Sequence, residues 1–253
     1  MKWCLSLVPV AFTATFVADA RANPRPLPFT YQVPTLGAGE LELEQIVDAV
    51  VVEVADEAGD SYKGIRFQLT TELEVALSDR WELGFYWVGA QPASGPFVFD
   101  GLKQRIRGRF ADEGEWPIDV GIYLEVVEKH DEIEFEQKIL LGRRFGDLLA
   151  ALNLSIEQEI ELAEGDVELV YNPSLGVSYA VTPAVNLGVE MWMKGEFEGD
   201  AGPEIYVGPT VMGMLGDSFF TLGLYGHVAG TTDGGPGETY GDFWARAMVG
   251  IGL

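Results

Sequence analysis

The sequence predicts an all-β fold: a single 12-stranded antiparallel up-and-down transmembrane β-barrel. Three observations predict it. Apolar and polar residues alternate with period two from about residue 40 to the C-terminus, the signature of strands with two unlike faces. Most alternating segments exceed the roughly five or six residues of a soluble strand, and they suit strands that tilt across a bilayer, which need about nine to eleven residues in the apolar zone. The connections alternate between tight turns and longer acidic or Gly-rich loops.

The chain has 253 residues, of which 40 are acidic and 16 basic, for a formal charge of −24. With 47% hydrophobic residues and 31 glycines it is neither disordered by composition nor rich in helical blocks. The single cysteine, Cys4, excludes an internal disulfide. Residues 1–22, "MKWCLSLVPVAFTATFVADARA", read as a signal peptide. Lys2 supplies the positive end, Leu5 to Val17 the apolar run, and Ala20–Ala22 the small residues before a cut at Asn23. A cut after Ala20 is the second candidate. The apolar run is short for a transmembrane helix. Residues 23–39, "NPRPLPFTYQVPTLGAG", read as a Pro/Gly-rich periplasmic lead-in, and residues 40–253 as the barrel.

Twelve segments are expected, at about 40–55, 62–78, 80–91, 101–112, 117–129, 131–145, 148–162, 167–181, 184–198, 203–215, 218–229 and 242–253. "SDR", "FGD", "VTP" and "LGDS" mark tight turns on one side. "QPASGPFVFD", "EKHDE", "FEGDAGP" and "AGTTDGGPGETYGD" are longer connections on the other. This asymmetry fits an outer-membrane barrel, and an even strand count puts both termini on the short-turn, periplasmic side. The segment 148–162 shows the alternation. Leu148, Leu152, Leu154 and Ile156 point one way, and Asn153, Ser155, Glu157, Glu159 and Glu161 the other. Apolar rows face lipid and polar rows the lumen. Trp81, Trp116, Phe145 and Phe219/Phe220 at one end, and Tyr62, Trp87, Phe97, Phe99, Phe197, Tyr240 and Phe243 at the other, are expected as interface girdles. A soluble exported β-barrel has the same alternation.

On these features the chain resembles Gram-negative outer-membrane β-barrels. The last segment, "FWARAMVGIGL", is similar to their C-terminal assembly signal, although it ends in Leu253 rather than an aromatic. The stretch "PTLGAGELELEQ" at 34–45 resembles the first strand of a phenol-degradation-pathway (MetA-type) transporter group. The resemblance implies an outer-membrane location, contact with outer-membrane lipid and lipopolysaccharide, recognition of the last strand by the assembly machinery, and passage of a small-molecule solute.

The candidate site is the lumen lining. In "GLKQRIRGRF" the cations Lys103, Arg105, Arg107 and Arg109 recur at period two, so they form one lumenal row. Glu82, Asp119 and Glu125 on the neighbouring segments supply acid. Glu132, Glu134 and Glu136, with Glu157, Glu159 and Glu161, form an acidic wall. Glu40, Glu42, Glu44 and Asp48 form another, and Arg66, Glu72, Lys138, Lys194 and Arg246 share the lumenal parity. These charges line either a solute path or an ion-pair network that plugs the lumen, because twelve strands lie between filled small barrels and open large ones. A channel or facilitator for small solutes is the leading function, with an acidic lining that favours cations. A plugged structural or surface-interaction barrel is the alternative.

An outer-membrane lipid-modifying enzyme is the least supported reading. His130 and His227 lie at the right height, but no serine or threonine completes a nucleophile–base set with either. The acidic loops lack EF-hand spacing and read as solvated surface, so no metal and no cofactor is expected. An acidic exported barrel is no nucleic-acid binder.

Overall fold

The computed structural model describes residues 22–55, 60–198, 202–230 and 240–253. Apart from Ala22, the expected signal peptide lies outside the described residues. Thirteen strands follow in chain order: β1 (Leu41–Ala55), β2 (Ser61–Ser78), β3 (Trp81–Gln91), β4 (Val98–Arg109), β5 (Asp119–Glu128), β6 (Glu132–Phe145), β7 (Leu148–Glu161), β8 (Val167–Tyr171), β9 (Ser174–Thr182), β10 (Val185–Glu196), β11 (Glu204–Leu215), β12 (Ser218–Ala229) and β13 (Phe243–Gly252).

Neighbouring strands pair antiparallel, and β13 closes on β1. The strands β8 and β9 lie end to end on one stave, each pairing β7 on one side and β10 on the other. Asn172 and Pro173 separate them. Proline has no N–H to give to the ladder, but the Asn172 N–H still donates to the Ser155 carbonyl and the Pro173 carbonyl accepts from Met193. The barrel therefore has twelve staves, as the alternation predicts. Closure leaves no unpaired edge, which is what lipid demands of a backbone.

Strand limits agree with the sequence to within a few residues, with one informative exception. Strand β4 begins at Val98, ahead of the expected 101, because a bulge at Val88/Gly89 lets Val98 and Phe99 pair with Ala90 and Gly89. Gly101 inside the strand hid that pairing. Two of the tight turns are two-residue Gly-Asp connections, Gly146-Asp147 and Gly216-Asp217. Their glycines take φ of 61° and 63°, the positive value that such hairpins place on the first turn residue.

The outward rows carry Ile65, Phe67, Ile139, Leu154, Ile156, Leu187 and Val189, all exposed to the barrel's surroundings. Trp81, Trp116, Phe145 and Phe220 ring the short-turn end, and Tyr62, Trp87, Phe97, Phe99, Phe197 and Phe243 the long-loop end, again exposed. Tyr240 leaves the expected girdle and lines the lumen, and Phe219 leaves it too. Phe219 is adjacent to Phe220, so the pleat points it into the lumen, where it packs against Ala22, Ile46, Met212 and Met248.

The Pro-rich segment 23–39, expected as a lead-in ahead of the barrel, runs inside it. The chain passes the 215–218 turn, where the Ala22 N–H donates to the Asp217 carbonyl. It rises to Pro28 and Phe29, descends through Tyr31 and Val33, and leaves beside Asp79, which accepts from the Ala38 N–H at 2.9 Å. The two legs are tied together by Gln32 donating to Asn23 Oδ1 and the Pro24 carbonyl, and by Asn23 donating to the Pro34 carbonyl. Four prolines keep this loop from pairing as strand or winding as helix. Its amides find partners on the barrel wall instead. Phe29 and Thr30 N–H groups donate to Glu190 Oε1 at 3.0 and 2.6 Å. Asn153 accepts from the Tyr31 N–H and donates back to the Tyr31 carbonyl, at 2.7 and 2.9 Å.

A prediction concerns β11 and β12, which crowd together at Gly208. A Cβ there would overlap the backbone of Leu224 and Tyr225. Gly208→Ala is expected to cost about 1–3 kcal/mol, the usual range for overpacking, read as a lower temperature for loss of the folded band in heat-modifiable gel mobility.

Candidate functional site

The lumen divides into two halves, and the chain's charges are arranged differently in each. In the inner half, next to the short turns, Glu42 faces Glu74 and Glu44 faces Glu72 across the β1–β2 ladder. Like charges placed directly opposite repel. All four are fully buried, as is Glu82 on β3. Arg105 gathers three of these acids. Its Nε donates to Glu72 Oε1 at 2.8 Å and Nη1 to Glu82 Oε1 at 2.7 Å, while Nη2 pairs with Glu74. The Tyr86 hydroxyl is 2.6 Å from Nε. Arg105 stands on β4 and reaches β2 across β3 because the intervening residue is Gly84. A Cβ at Gly84 would lie 2.6 Å from Arg105 Nε and 2.7 Å from Glu72. Arg107 pairs with Glu82 at 2.8 Å.

The inserted loop completes this network. Arg25 pairs with Glu44 at 2.8 Å and approaches Glu72 at 4.0 Å. Its guanidinium lies 4.0 Å from the Tyr31 ring, a cation–π distance. The Leu36 N–H donates to Glu82 at 3.0 Å, and the Thr221 hydroxyl donates to the Arg25 carbonyl at 2.7 Å. On the β5–β6 side the loop packs by apolar contact, with Tyr31 and Val33 against Tyr123 and Leu140.

The outer half holds a cavity of about 600 Å³. Its floor is the top of the loop: Arg25, Pro28, Phe29 and Tyr31. Its cationic wall residues are Arg66, Lys103, Lys129, Lys138, Lys194 and Arg246, and its acids are Asp100, Glu125, Glu136 and Glu157. Most cations lean on a carboxylate beside or behind them. Lys103 meets Glu125 at 3.3 Å, Lys138 meets Glu136 at 2.8 Å, and Lys194 meets Glu159 at 2.9 Å and Glu157 at 3.6 Å. Arg246 grips Asp48 with two nitrogens, at 2.7 and 2.8 Å, and covers the Phe29 ring at 3.7 Å. Arg66 is different. Among the described residues it makes no hydrogen bond or ion pair, and its guanidinium sits 5.6 Å from the Trp244 ring. Trp244, Trp192 and Phe29 form one aromatic cluster with Tyr206 and Tyr225. Among the described lining residues the cations thus outnumber the acids, and the acidic excess that was expected to favour cations lies in the inner half instead.

At the rim, Glu132 and Glu134 both pair with Lys129. Burial works against the Lys129 ammonium, but the Glu134 and Glu132 carboxylates outweigh it and hold the amine above the ordinary lysine range. Glu161 is exposed beside Glu164 and Asp166. Glu132, Glu161 and Asp166, with Asp131, Glu159, Glu168 and Glu198, edge a cleft on the β6–β8 side, across the barrel from Arg66 on β2.

The row read from "GLKQRIRGRF" is a lumenal row, but its members serve different levels. Lys103 lines the cavity, Arg105 and Arg107 hold the inner network, and Arg109 closes the short-turn rim through Asp112 at 2.7 Å and the Asp79 carbonyl at 2.9 Å. Glu136 accepts from Ser155 at 2.6 Å and Glu157 from Asn172 at 3.1 Å. The sequence-based set omits the loop residues Arg25, Phe29 and Tyr31, and also Glu190, Tyr86 and Tyr123. Arg25, Thr30 and Gln32 inside a Pro-rich segment were a usable sign that it has polar partners. Of the histidines, His130 is exposed. His227 packs 5.2 Å from the Tyr206 ring, and its Nε2 has no hydrogen-bond partner among the described residues. Neither histidine is bonded to a described hydroxyl.

No protein-family profile matches the chain, and no curated protein matches it. Solved structures do. An outer membrane channel from Pseudomonas putida F1 superposes with a TM-score of 0.64 at 12% identity, covering 87% of this chain and 98% of that one. The NanC porin gives 0.57 at 7% identity, covering 83% and 97%. The translocator domain of autotransporter NalP from Neisseria meningitidis gives 0.53 at 12%, covering 87% and 90%. The chain has the fold of Gram-negative outer-membrane β-barrels, in its twelve-stave form.

The inner network yields a prediction. Removing one partner of a buried charge set leaves the others uncompensated, at about 3–5 kcal/mol. Arg105→Ala is expected to lower the thermal midpoint of the barrel by that order. Adding Glu72→Gln and Glu74→Gln to Arg105→Ala should recover part of the loss; an additive worsening in the triple variant would show that these groups do not act together.

Proposed function

We propose that the chain is an outer-membrane channel for small solutes, with both termini periplasmic, whose outer cavity receives the solute and whose inserted loop 23–36 closes the inner half. The observation that carries this reading is the cavity of about 600 Å³, bounded below by the loop rather than by barrel wall. A volume of this order suits a ligand of ordinary small-molecule size. A barrel serving only as a surface support would be expected to fill both halves alike.

The walls favour a solute with a negative end and a flat apolar body. Arg66 is a cation without an ion pair or hydrogen bond among the described residues, and Trp244, Phe29 and Tyr240 line the same space. Guanidinium groups bind carboxylates through paired hydrogen bonds, and aromatic walls stack on a flat body. The acidic rim across the barrel would orient a solute that also carries a positive or donor group. The plugged structural barrel is the second reading, supported by the sealed inner network. In either case the apolar outer rows would contact outer-membrane lipid, and the β13 row would serve the assembly machinery.

Planar-bilayer recording tests the reading, using chains whose folding is verified by gel mobility. The intact chain is expected to show small or rare openings, and deletion of residues 24–36 should raise conductance several-fold. Arg66→Ala in the deleted chain should lower the permeability of benzoate relative to that of potassium. No conductance in the folded, deleted chain would favour the plugged structural barrel.

A further inference from the structure

Among the described residues, the inner network contains five buried carboxylates, Glu42, Glu44, Glu72, Glu74 and Glu82, but only three guanidinium groups, those of Arg25, Arg105 and Arg107. Four of the five acids have a guanidinium within 4.0 Å. Glu42 has no cationic partner among the described residues. Its Oε2 accepts from the backbone nitrogen of Asn23, and its Oε1 is buried without a hydrogen-bond partner among the described residues. It also faces Glu74 across the ladder. A lone buried carboxylate opposite another is costly.

The nitrogen that meets Glu42 belongs to the residue at which the signal-peptide reading places the cut. In the uncut chain this nitrogen is a neutral amide with one proton. After hydrolysis of the Ala22–Asn23 peptide bond, with water adding to the Ala22 carbonyl, the same nitrogen becomes an α-ammonium with three. We propose that signal cleavage before Asn23 supplies the missing cation of the inner network, so that the new α-ammonium pairs with Glu42 and pins the inserted loop in the lumen. The site is held ready for it. The Asn23 side chain is already fixed by Gln32 and by the Pro34 carbonyl, so the nitrogen stays at Glu42 without the residues upstream. Processing would then do more than release an exported chain: it would create the charge that locks the loop, and only after the signal has been removed. The inference rests on the geometry at Asn23 and on the cut expected before it, and does not require the chain to conduct.

The test begins with intact mass of the protein purified from outer membranes. The expected N-terminal residue is Asn23; a mature chain beginning at Arg21 would overturn the proposal. The second step compares four exported chains: the natural one, Glu42→Gln, a chain with one serine inserted between Ala22 and Asn23, and the two changes combined. The insertion moves the amino group by one residue, about 3.8 Å along the chain, and keeps Glu42. The readout is cleavage of the loop by an added protease, with barrel integrity followed by gel mobility. Either single change is expected to raise the cleavage rate about tenfold or more, as loss of a partly buried ion pair predicts, and the combined chain should be no worse than the singles. Additive effects, or no effect of the insertion, would overturn it. The insertion alone suffices if Glu42→Gln does not fold.

Discussion

Five glutamates and three arginines lie in a space that the barrel wall and the inserted loop close off from solvent, and the arrangement of the inner half follows from bringing each guanidinium to the acids around it. In lipid the apolar rows must face outward, so the polar rows have only the lumen. Twelve staves enclose too much space for side chains alone to fill and too little for a wide water channel. A piece of chain carrying its own cation and its own amides meets both needs. Arg25 balances Glu44, while the amides of Phe29, Thr30 and Leu36 satisfy Glu190 and Glu82. Gly84 lets Arg105 cross a strand to reach Glu72 and Glu74, which face Glu44 and Glu42 on β1.

The same constraint explains why the outer half differs. The loop turns back at Pro28 and Phe29, so above that level no described segment crosses the lumen, and the wall groups pair locally with one another. Lys138 and Lys194 there sit over aromatic rings and beside one or two carboxylates. Arg66 stands on the row opposite Val50 and Trp244, neither of which offers an acceptor. Its isolation is a consequence of register, and it is the feature that most distinguishes the cavity from the filled space beneath.

Much of this was legible in the sequence. Period-two alternation located all twelve staves, because a residue shift of one would have put whole rows of charge into lipid. It also placed Lys103, Arg105, Arg107, Glu72, Glu136, Glu157 and Arg246 on the lumenal side. Alternation could not say which acid each cation reaches, since that depends on a residue of the strand between them, as at Gly84. Nor could it place residues 23–39. A Pro-rich segment has no period to read, and its position follows from partners such as Glu190 and Asn153, more than a hundred residues distant. The adjacent Phe219 and Phe220 look alike in the sequence, yet the pleat sends one to the core and the other to the rim.

The central claim is that residues 24–36 are as much a part of the folded barrel as its strands. Native hydrogen exchange, followed by mass spectrometry on the folded protein in detergent, tests it most directly. The account predicts that a peptide covering Phe29, Thr30 and Tyr31 is protected to the same degree as peptides from β1 and β7. Exchange of that peptide as fast as the exposed 92–97 loop would contradict it.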